Sequence, residues 1–127
     1  MAINVLKQTP LEAVVQVTGA NGTITLASLL STAQAVSGTP TVNIRKVIYN
    51  ATGTSNILIT RNAVEVLNCA HTGTMDFAGF DLRLNNTSDI VCTVPANCNV
   101  ILVLNKVAGY TDSTVNAGIN PENVGPR

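Results

Sequence analysis

Cysteine and histidine supply the side chains of this chain with the greatest capacity for chemistry. They are Cys69, His71, Cys92 and Cys98, and the sequence holds no other residue of either type. Together they offer the ligand types of a Cys3His zinc site, and Cys69 and His71 would share one face of a strand. The spacing is unusual for zinc, because a Cys-x-His pair is followed by twenty residues and then Cys-x5-Cys. Cys92 also alternates in phase with apolar neighbours, as a buried cysteine does. We therefore predict no metal site.

Catalytic patterns are equally weak. A cysteine–histidine nucleophile pair needs a lowered thiol pKa and a third group that orients the imidazole, for which Thr72 and Asp76 are the nearest candidates. Asp81 and Arg83 lie two residues apart on one predicted strand, which favours an exposed ion pair over an acid–base couple. The sequence lacks a Gly-rich phosphate loop, Gly-x-Ser-x-Gly and His-Glu-x-x-His. We predict a non-enzymatic protein with no catalytic residue and no cofactor.

The composition predicts a single domain made of strands. The 127 residues are 46% hydrophobic but only 3% aromatic. A chain of this length can bury a core of its own. That core has to consist of valine, isoleucine, leucine and alanine, and the β-branched members of this set favour strands.

Charge is scarce and balanced. Charged residues make up 11% of the chain, with seven acidic and seven basic side chains. An average soluble domain has about 25%. Arg45-Lys46 is the only adjacent basic pair, so the sequence has no electrostatic footprint for nucleic acid or anionic lipid. Weak repulsion between copies suits a homo-oligomer.

Targeting and membrane signals are also missing from the sequence. The start, "MAINVLKQTPLEAVV", lacks the basic and apolar regions of a secretory signal. No apolar stretch is long enough to cross a bilayer. Three unevenly spaced cysteines make a poor disulfide framework, so we expect synthesis in a reducing cytoplasm.

Short β-rich runs separated by Gly, Asn, Thr and Pro clusters predict an antiparallel β-sandwich of about eight strands, jelly-roll-like in its connections. The predicted strands are residues 11–18, 23–30, 41–49, 56–61, 63–68, 76–84, 89–94 and 99–107. A short helix within 27–36 is the alternative for the second of them. Five consecutive apolar residues in 99–107 place that strand in the middle of a sheet.

The domain boundaries follow from the two ends of the chain. We predict an N-terminal arm at 1–10, the sandwich at 11–110 and an extended C-terminal arm at 111–127, which has no period, two prolines and two glycines. A frayed tail is the alternative for the last segment. The residues expected to contact other subunits are Ile3, Val5, Val115, Ile119 and Val124.

Turns and core anchors complete the predicted sandwich. Asn62 is expected to make a very tight turn with Ala63, and residues 69–74 to form a loop at the rim. A bulge at Gly79 would bring Phe77 onto the inward face, although a partner-binding role for Phe77 is the alternative. The predicted core residues are Phe77, Phe80, Leu82, Ile90, Val100 and Leu102.

Three stretches, "TVNIRKVIYNATGTSNILITRNAVEVLN", "GTMDFAGFDLRLNNTSDIVCTV" and "VILVLNKVAGY", resemble a family of small virion structural proteins of tailed bacteriophages, especially phages of marine bacteria and cyanobacteria. The resemblance covers residues 41–110 and rests on the order of strand patterns. Arg45 before Lys46, and Ala63 where a glycine is expected, depart from it.

The resemblance implies a β-sandwich present in many copies in a particle. It implies a capsid decoration or cement protein on the outside of the head, whose partners are the major capsid protein and copies of itself, with no nucleic acid and no membrane. It would be made in the host cytoplasm and end on the outer surface of the virion. A neck, tail or fibre-associated protein is the alternative. A carbohydrate-binding module and a small metal-dependent enzyme are weaker ones, the former because sugar platforms usually need exposed aromatic residues.

Overall fold

Two antiparallel β-sheets build the fold, as seen in a computed structural model that describes residues 3–78 and 86–111. A single cluster of buried side chains draws its members from both sheets, so the sheets pack face to face. The prediction of an all-β antiparallel sandwich is confirmed. The described strands are β1 Ile3–Gln8, β2 Glu12–Thr18, β3 Gly22–Ile24, β4 Val36–Ala51, β5 Ile57–Arg61, β6 Val64–Cys69, β7 His71–Asp76, β8 Ile90–Thr93 and β9 Asn99–Tyr110, with a 3-10 helix at Leu26–Ser28.

The strand pairing is nested. The larger sheet has the order β1-β2-β9-β4-β7 and the smaller one β3-β8-β5-β6. The chain therefore pairs β2 with β9, β3 with β8, β4 with β7 and β5 with β6, all antiparallel, like a long hairpin rolled up on itself. Sequence-distant strands lie side by side as a result.

The register of the larger sheet defines two ends of the sandwich. At one end Asn99 pairs with Thr18 and Asn50, and at the other Asn105 pairs with Glu12 and Asn43. We call these the Asn99 end and the Tyr110 end, since β9 runs from one to the other.

β9 occupies the centre of the larger sheet, between β2 and β4, as its apolar run predicts. Its burial alternates along the strand, with Val100, Leu102, Leu104 and Lys106 buried and the residues between them half-buried. Ile90 on β8 is also fully buried, and Phe77 is partly buried against the same core. Two others of the predicted core residues, Phe80 and Leu82, lie outside the described residues.

The connection between β3 and β4 corrects one prediction. Residues 23–30 were expected to be a strand, but strand pairing ends at Ile24. The alternative, a helix within 27–36, does not form either, since the 3-10 helix covers only Leu26–Ser28. Asp89 Oδ1 accepts a hydrogen bond from the Leu26 N–H at 2.9 Å, and Tyr110 donates to the Leu26 carbonyl at 2.6 Å. These two bonds hold Leu26 where its side chain is buried, so the backbone leaves the sheet.

The hairpin between β5 and β6 has the predicted two-residue turn. Asn62 and Ala63 have φ values of 52° and 61°. A type I′ turn needs positive φ at both positions, which asparagine tolerates and alanine does not favour.

The prediction that residues 69–74 form a loop at the rim is wrong. Cys69 ends β6, Ala70 makes the connection, and β7 begins at His71 with φ of 65°. The reversal is tight because His71 takes the left-handed conformation, so the turn needs no glycine. Of the strand predicted at 76–84, only Asp76 lies in a described strand, and the predicted Gly79 bulge lies outside the described residues.

The first ten residues were predicted as an arm, and within them β1 forms the edge strand beside β2. Ile3 is partly buried against the core, whereas Val5 is 53% exposed next to a register shift. The predicted subunit contacts at Val115, Ile119 and Val124, and the predicted arm beyond Thr111, lie outside the described residues. Among the described residues, no helix is long and apolar enough to cross a membrane.

Candidate functional site

The cysteine and histidine side chains that the sequence singles out lie in different environments. All three cysteines are buried and free, on β6, on β8 and just before β9. His71 is exposed at the start of β7. Within residues 3–78 and 86–111, no three of the His, Cys, Asp and Glu side chains are grouped as metal ligands.

The thiols are held in the protonated state by their surroundings. Desolvation raises the pKa of Cys69 to about 11 and that of Cys92 to about 12. A nucleophilic thiol needs the opposite shift, toward the thiolate. Cys98 has a structural contact instead, since its Sγ accepts a hydrogen bond from the Thr52 N–H at 3.3 Å.

A buried polar cluster occupies the Tyr110 end. Its centre is Lys106, which is 5% exposed and projects inward from β9. The Nζ donates to the Gln8 side-chain oxygen at 2.9 Å, the Leu29 carbonyl at 2.8 Å and the Gln34 side-chain oxygen at 2.7 Å. Nζ also lies over the aromatic ring of Tyr110, 5.2 Å from the ring centroid. We call Lys106, Gln8, Gln34 and Tyr110 the Lys106 cluster.

Gln34 uses both ends of its amide in this cluster. Its Oε1 accepts from the Ser31 N–H at 3.1 Å as well as from Lys106, and its Nε2 donates to the carbonyls of Pro10 and Thr111, both at 3.0 Å. Thr111 in turn exchanges two hydrogen bonds with Ala35. The amide therefore joins the end of β9, the β1–β2 turn and the β3–β4 connection.

The hydrogen-bond acceptors of the Lys106 ammonium are all neutral oxygens, and this shapes the electrostatics of the cluster. Desolvation lowers the pKa of Lys106 to about 8. Burial, followed by the charge of Asp89, raises the pKa of Tyr110 to about 12. The lysine thus gives up its proton more readily than usual, and the tyrosine keeps its own.

A second cation is buried nearby. Arg61, on β5, is 1% exposed and donates to the Ser88 carbonyl through Nε and Nη2 and to the Val42 carbonyl through Nη1 at 2.7 Å. Desolvation lowers its pKa to about 10, against the raising effect of Asp89. Arg61 thereby binds the smaller sheet to β4 and to the segment before β8.

Neither buried cation was predicted from the sequence, although a signal was present. Lys106 continues the alternation of Val100, Leu102 and Leu104, and Arg61 that of Ile57 and Ile59. A basic residue in the inward phase of an apolar strand predicts a buried, fully bonded charge. Gln8 and Gln34 had no such signal, because the end of β1 and the β3–β4 connection meet Lys106 only in the folded chain.

The outward face of the larger sheet has a different character. Toward the Tyr110 end it carries charges, including a Lys7–Glu12 ion pair at 2.9 Å. Toward the Asn99 end, two adjacent cross-strand rows hold only neutral side chains, and we call these rows the neutral face. Its members are Asn4, Gln16, Ile101, Ile48 and Thr74 in one row and Thr18, Asn99, Asn50 and Thr72 in the next.

Amide and hydroxyl groups frame an apolar centre on the neutral face. Ile48 is 39% exposed, and Ile101 beside it is half-buried. Thr72 donates to the Asn50 side-chain oxygen at 3.0 Å, so part of the frame is bonded within the sheet. Such a surface can be covered by another protein without burying a charge.

Comparison with known proteins gives no relative: no family model, no curated protein and no solved structure matches the chain.

Proposed function

We propose that this chain is a non-enzymatic structural protein of a bacteriophage virion, a decoration or cement protein that binds the outside of the head through the neutral face. The resemblance over residues 41–110 suggests the particle, and the neutral face supplies the surface. A neck, tail or fibre position, with the same surface in contact with a different part of the particle, is the second candidate.

The neutral face carries this proposal. Protein interfaces are depleted of charge at their centre and combine apolar area with hydrogen bonds and bridging water. Ile48 and Ile101 provide the apolar centre, and the surrounding asparagine, threonine and glutamine side chains provide donors and acceptors. Nucleic acid would require a basic surface in the same place.

The nested strand pairing supports the same proposal. A jelly roll is expected to have nested strand pairs in two sheets. This chain has one five-stranded and one four-stranded sheet, and the nested pairs are β2 with β9, β3 with β8, β4 with β7 and β5 with β6. Jelly rolls are frequent in viral capsid proteins, although they also occur in lectins and enzymes.

The proposed mechanism is linkage. A protein that binds the expanded shell and not its precursor stabilises the expanded form by the free energy of binding. Many copies, each with a modest interface, would add up to a large effect on the whole particle. The buried polar cluster would keep each copy rigid, which lowers the entropic cost of binding.

A pair of charge-insertion variants tests the neutral face. Ile48 and Val91 are both 39% exposed on outward faces, one on each sheet, which makes them matched positions. Ile48→Lys is expected to abolish binding to particles stripped of this protein, while Val91→Lys binds as the wild type does. Loss of binding only in Val91→Lys would move the interface to the smaller sheet, and unchanged binding in both would contradict the proposal.

Copy number and shell stability decide the position in the particle. Quantitative mass spectrometry of purified virions should give a copy number comparable with that of the capsomers, and particles lacking the protein should release DNA at a lower temperature. A copy number that matches a single neck or tail ring, with unchanged heat stability of the head, would favour the second candidate.

The C-terminal arm can be tested separately. Thr111 belongs to the folded domain through its bonds to Ala35 and Gln34, so a truncation should remove residues 112–127 and keep Thr111. If the predicted arm contacts neighbours, the truncated protein keeps its unfolding midpoint but loses affinity for particles. Equal affinity would contradict the arm.

A further inference from the structure

Lys106 and Gln34 present an amine and a carboxamide to each other in a buried setting. The Lys106 Nζ lies 2.7 Å from the Gln34 Oε1, and the two residues are 5% and 8% exposed. They are 72 positions apart in the chain, on β9 and on the β3–β4 connection. Fixed proximity of this kind replaces the entropy that a bimolecular reaction would lose.

The Gln34 carboxamide is oriented at each of its polar atoms. The Ser31 N–H points at Oε1 from 3.1 Å, which is where negative charge would develop if the carbonyl carbon were attacked. The Nε2 group is held by the carbonyls of Pro10 and Thr111. These two acceptors lie beside the nitrogen that would depart.

The surroundings of the Lys106 amine favour its action as a nucleophile. Its three hydrogen-bond acceptors are a backbone carbonyl and two carboxamide oxygens, so no carboxylate among them holds the proton on Nζ. Burial accordingly lowers the pKa to about 8, which leaves a useful share of neutral amine near neutral pH.

We propose that Lys106 and Gln34 form an intramolecular isopeptide bond. The ammonium first loses one proton to solvent, and the Nζ lone pair then attacks the Gln34 side-chain carbonyl carbon. The carbon–Nε2 bond breaks, a proton passes from Nζ to the departing nitrogen, and ammonia leaves. One amine and one primary amide become one secondary amide and ammonia, with no oxidation or reduction.

A small cavity gives the departing ammonia a path. It has a volume of about 80 Å³ and adjoins both reacting residues; its other lining residues are Pro10, Leu11, Val107, Ala108, Tyr110 and Thr111. Gln8 is the less favoured acceptor, because it is only half-buried and its contact with Nζ is longer, at 2.9 Å.

Mass spectrometry of the intact, denatured protein tests the bond. The wild-type chain should be lighter than its sequence mass by one ammonia, and digestion should yield a branched peptide that joins Lys106 to Gln34. Lys106→Arg and Gln34→Leu should restore the full mass, while Lys7→Arg, at an exposed lysine outside the cluster, should keep the deficit.

The controls separate other sources of the same mass change. Succinimide formation at Asn21-Gly22 also releases ammonia, but Lys106→Arg would leave that loss in place. The branched peptide is sought in the wild-type protein itself, so the result does not depend on whether a variant folds. Separate, unmodified Lys106 and Gln34 peptides after prolonged incubation of folded protein would overturn the proposal, and a branch to Gln8 would overturn the assignment to Gln34.

Discussion

The two ends of the sandwich reverse the expectation drawn from residue types. The Asn99 end, where β6 meets β7, holds the Cys69 and His71 pair, yet the thiol is buried and protonated and the imidazole is exposed. The Tyr110 end is built from a lysine, two glutamines and a tyrosine that were not singled out from the sequence, and these are joined by a network of hydrogen bonds. Chemical capacity therefore depends on which groups are buried together more than on which residue types are present.

The largest expected difference between the ends comes from two glycines. Gly109, at the Tyr110 end, has φ of 84°, and a Cβ there would overlap the backbone of Thr39 and Pro40. Gly53, at the Asn99 end, has φ of 69° and open space around it. Gly109→Ala should lower the free energy of unfolding by about 3 kcal/mol and Gly53→Ala by about 1 kcal/mol, measured by urea denaturation. Equal losses would show that the close approach of β9 to β4 is not rigid.

Removal of the central cation tests the polar end directly. Lys106→Met leaves the oxygens of Gln8, Leu29 and Gln34 without a donor in a buried place. Relative to chains whose Lys106 amine is free, this outweighs the relief of a buried charge, and we expect a loss of about 2 kcal/mol. The matched control is Lys7→Met, whose ammonium is exposed in its ion pair with Glu12 and should cost less than about 0.5 kcal/mol. A Lys106→Met protein as stable as the control would mean that the cluster is not a structural centre.

Alkaline pH should weaken the fold through the thiols. The pKa values of Cys69 and Cys92 are raised from 9.0 to about 11 and about 12, so the unfolded chain releases these protons first and stability falls as pH rises above 9. The slope is about 1 kcal/mol per pH unit for each thiol. Lys106, where its amine is free, acts in the opposite direction between pH 8 and 10.5.

Comparison with a Cys69→Ala, Cys92→Ala double variant isolates the thiols from Lys106 and Tyr110. The stability difference between the wild type and this variant should be constant below pH 9 and shrink above it. A difference independent of pH would show that the thiols titrate normally.

The smallest effect concerns two strained residues, one at each end. Ala63 and His71 have φ values of 61° and 65°, and glycine would adopt these without strain. Ala63→Gly and His71→Gly should each stabilise the fold by about 0.5 kcal/mol after the larger entropy of the unfolded glycine is counted. A clear loss in His71→Gly alone, by thermal denaturation, would reveal a contact of the imidazole.

Sequence patterning was sufficient for the parts of the fold that repeat with period two. Residues 12–18, 57–61, 64–69, 90–93 and 99–110 are strands close to their predicted bounds, because alternation and turn residues are local properties. The β3–β4 connection was not predictable in this way. Leu26 leaves the sheet because of Asp89 and Tyr110, which are distant in sequence.

The candidate site was harder to predict than the fold. The inward phase of Lys106 could be recognised from β9 alone, but its partners Gln8 and Gln34 lie in other segments with no shared pattern. The neutral face likewise depends on register, since Ile48 and Ile101 become neighbours only when β4 pairs with β9. Both features arise from the order of strands in the sheet.

The position of β9 between β2 and β4 also governs when the protein can fold during synthesis. β2 is complete at Thr18, but its neighbour β9 begins only at Asn99. β3 likewise cannot pair until β8 has been made. Before β9 leaves the ribosome, pairs such as β1 with β2, β5 with β6 and β4 with β7 can form, but no strand yet lies between β2 and β4 to join the two parts of the larger sheet. Closure of the larger sheet is therefore a late and slow step in folding, because the partners must meet across most of the sequence.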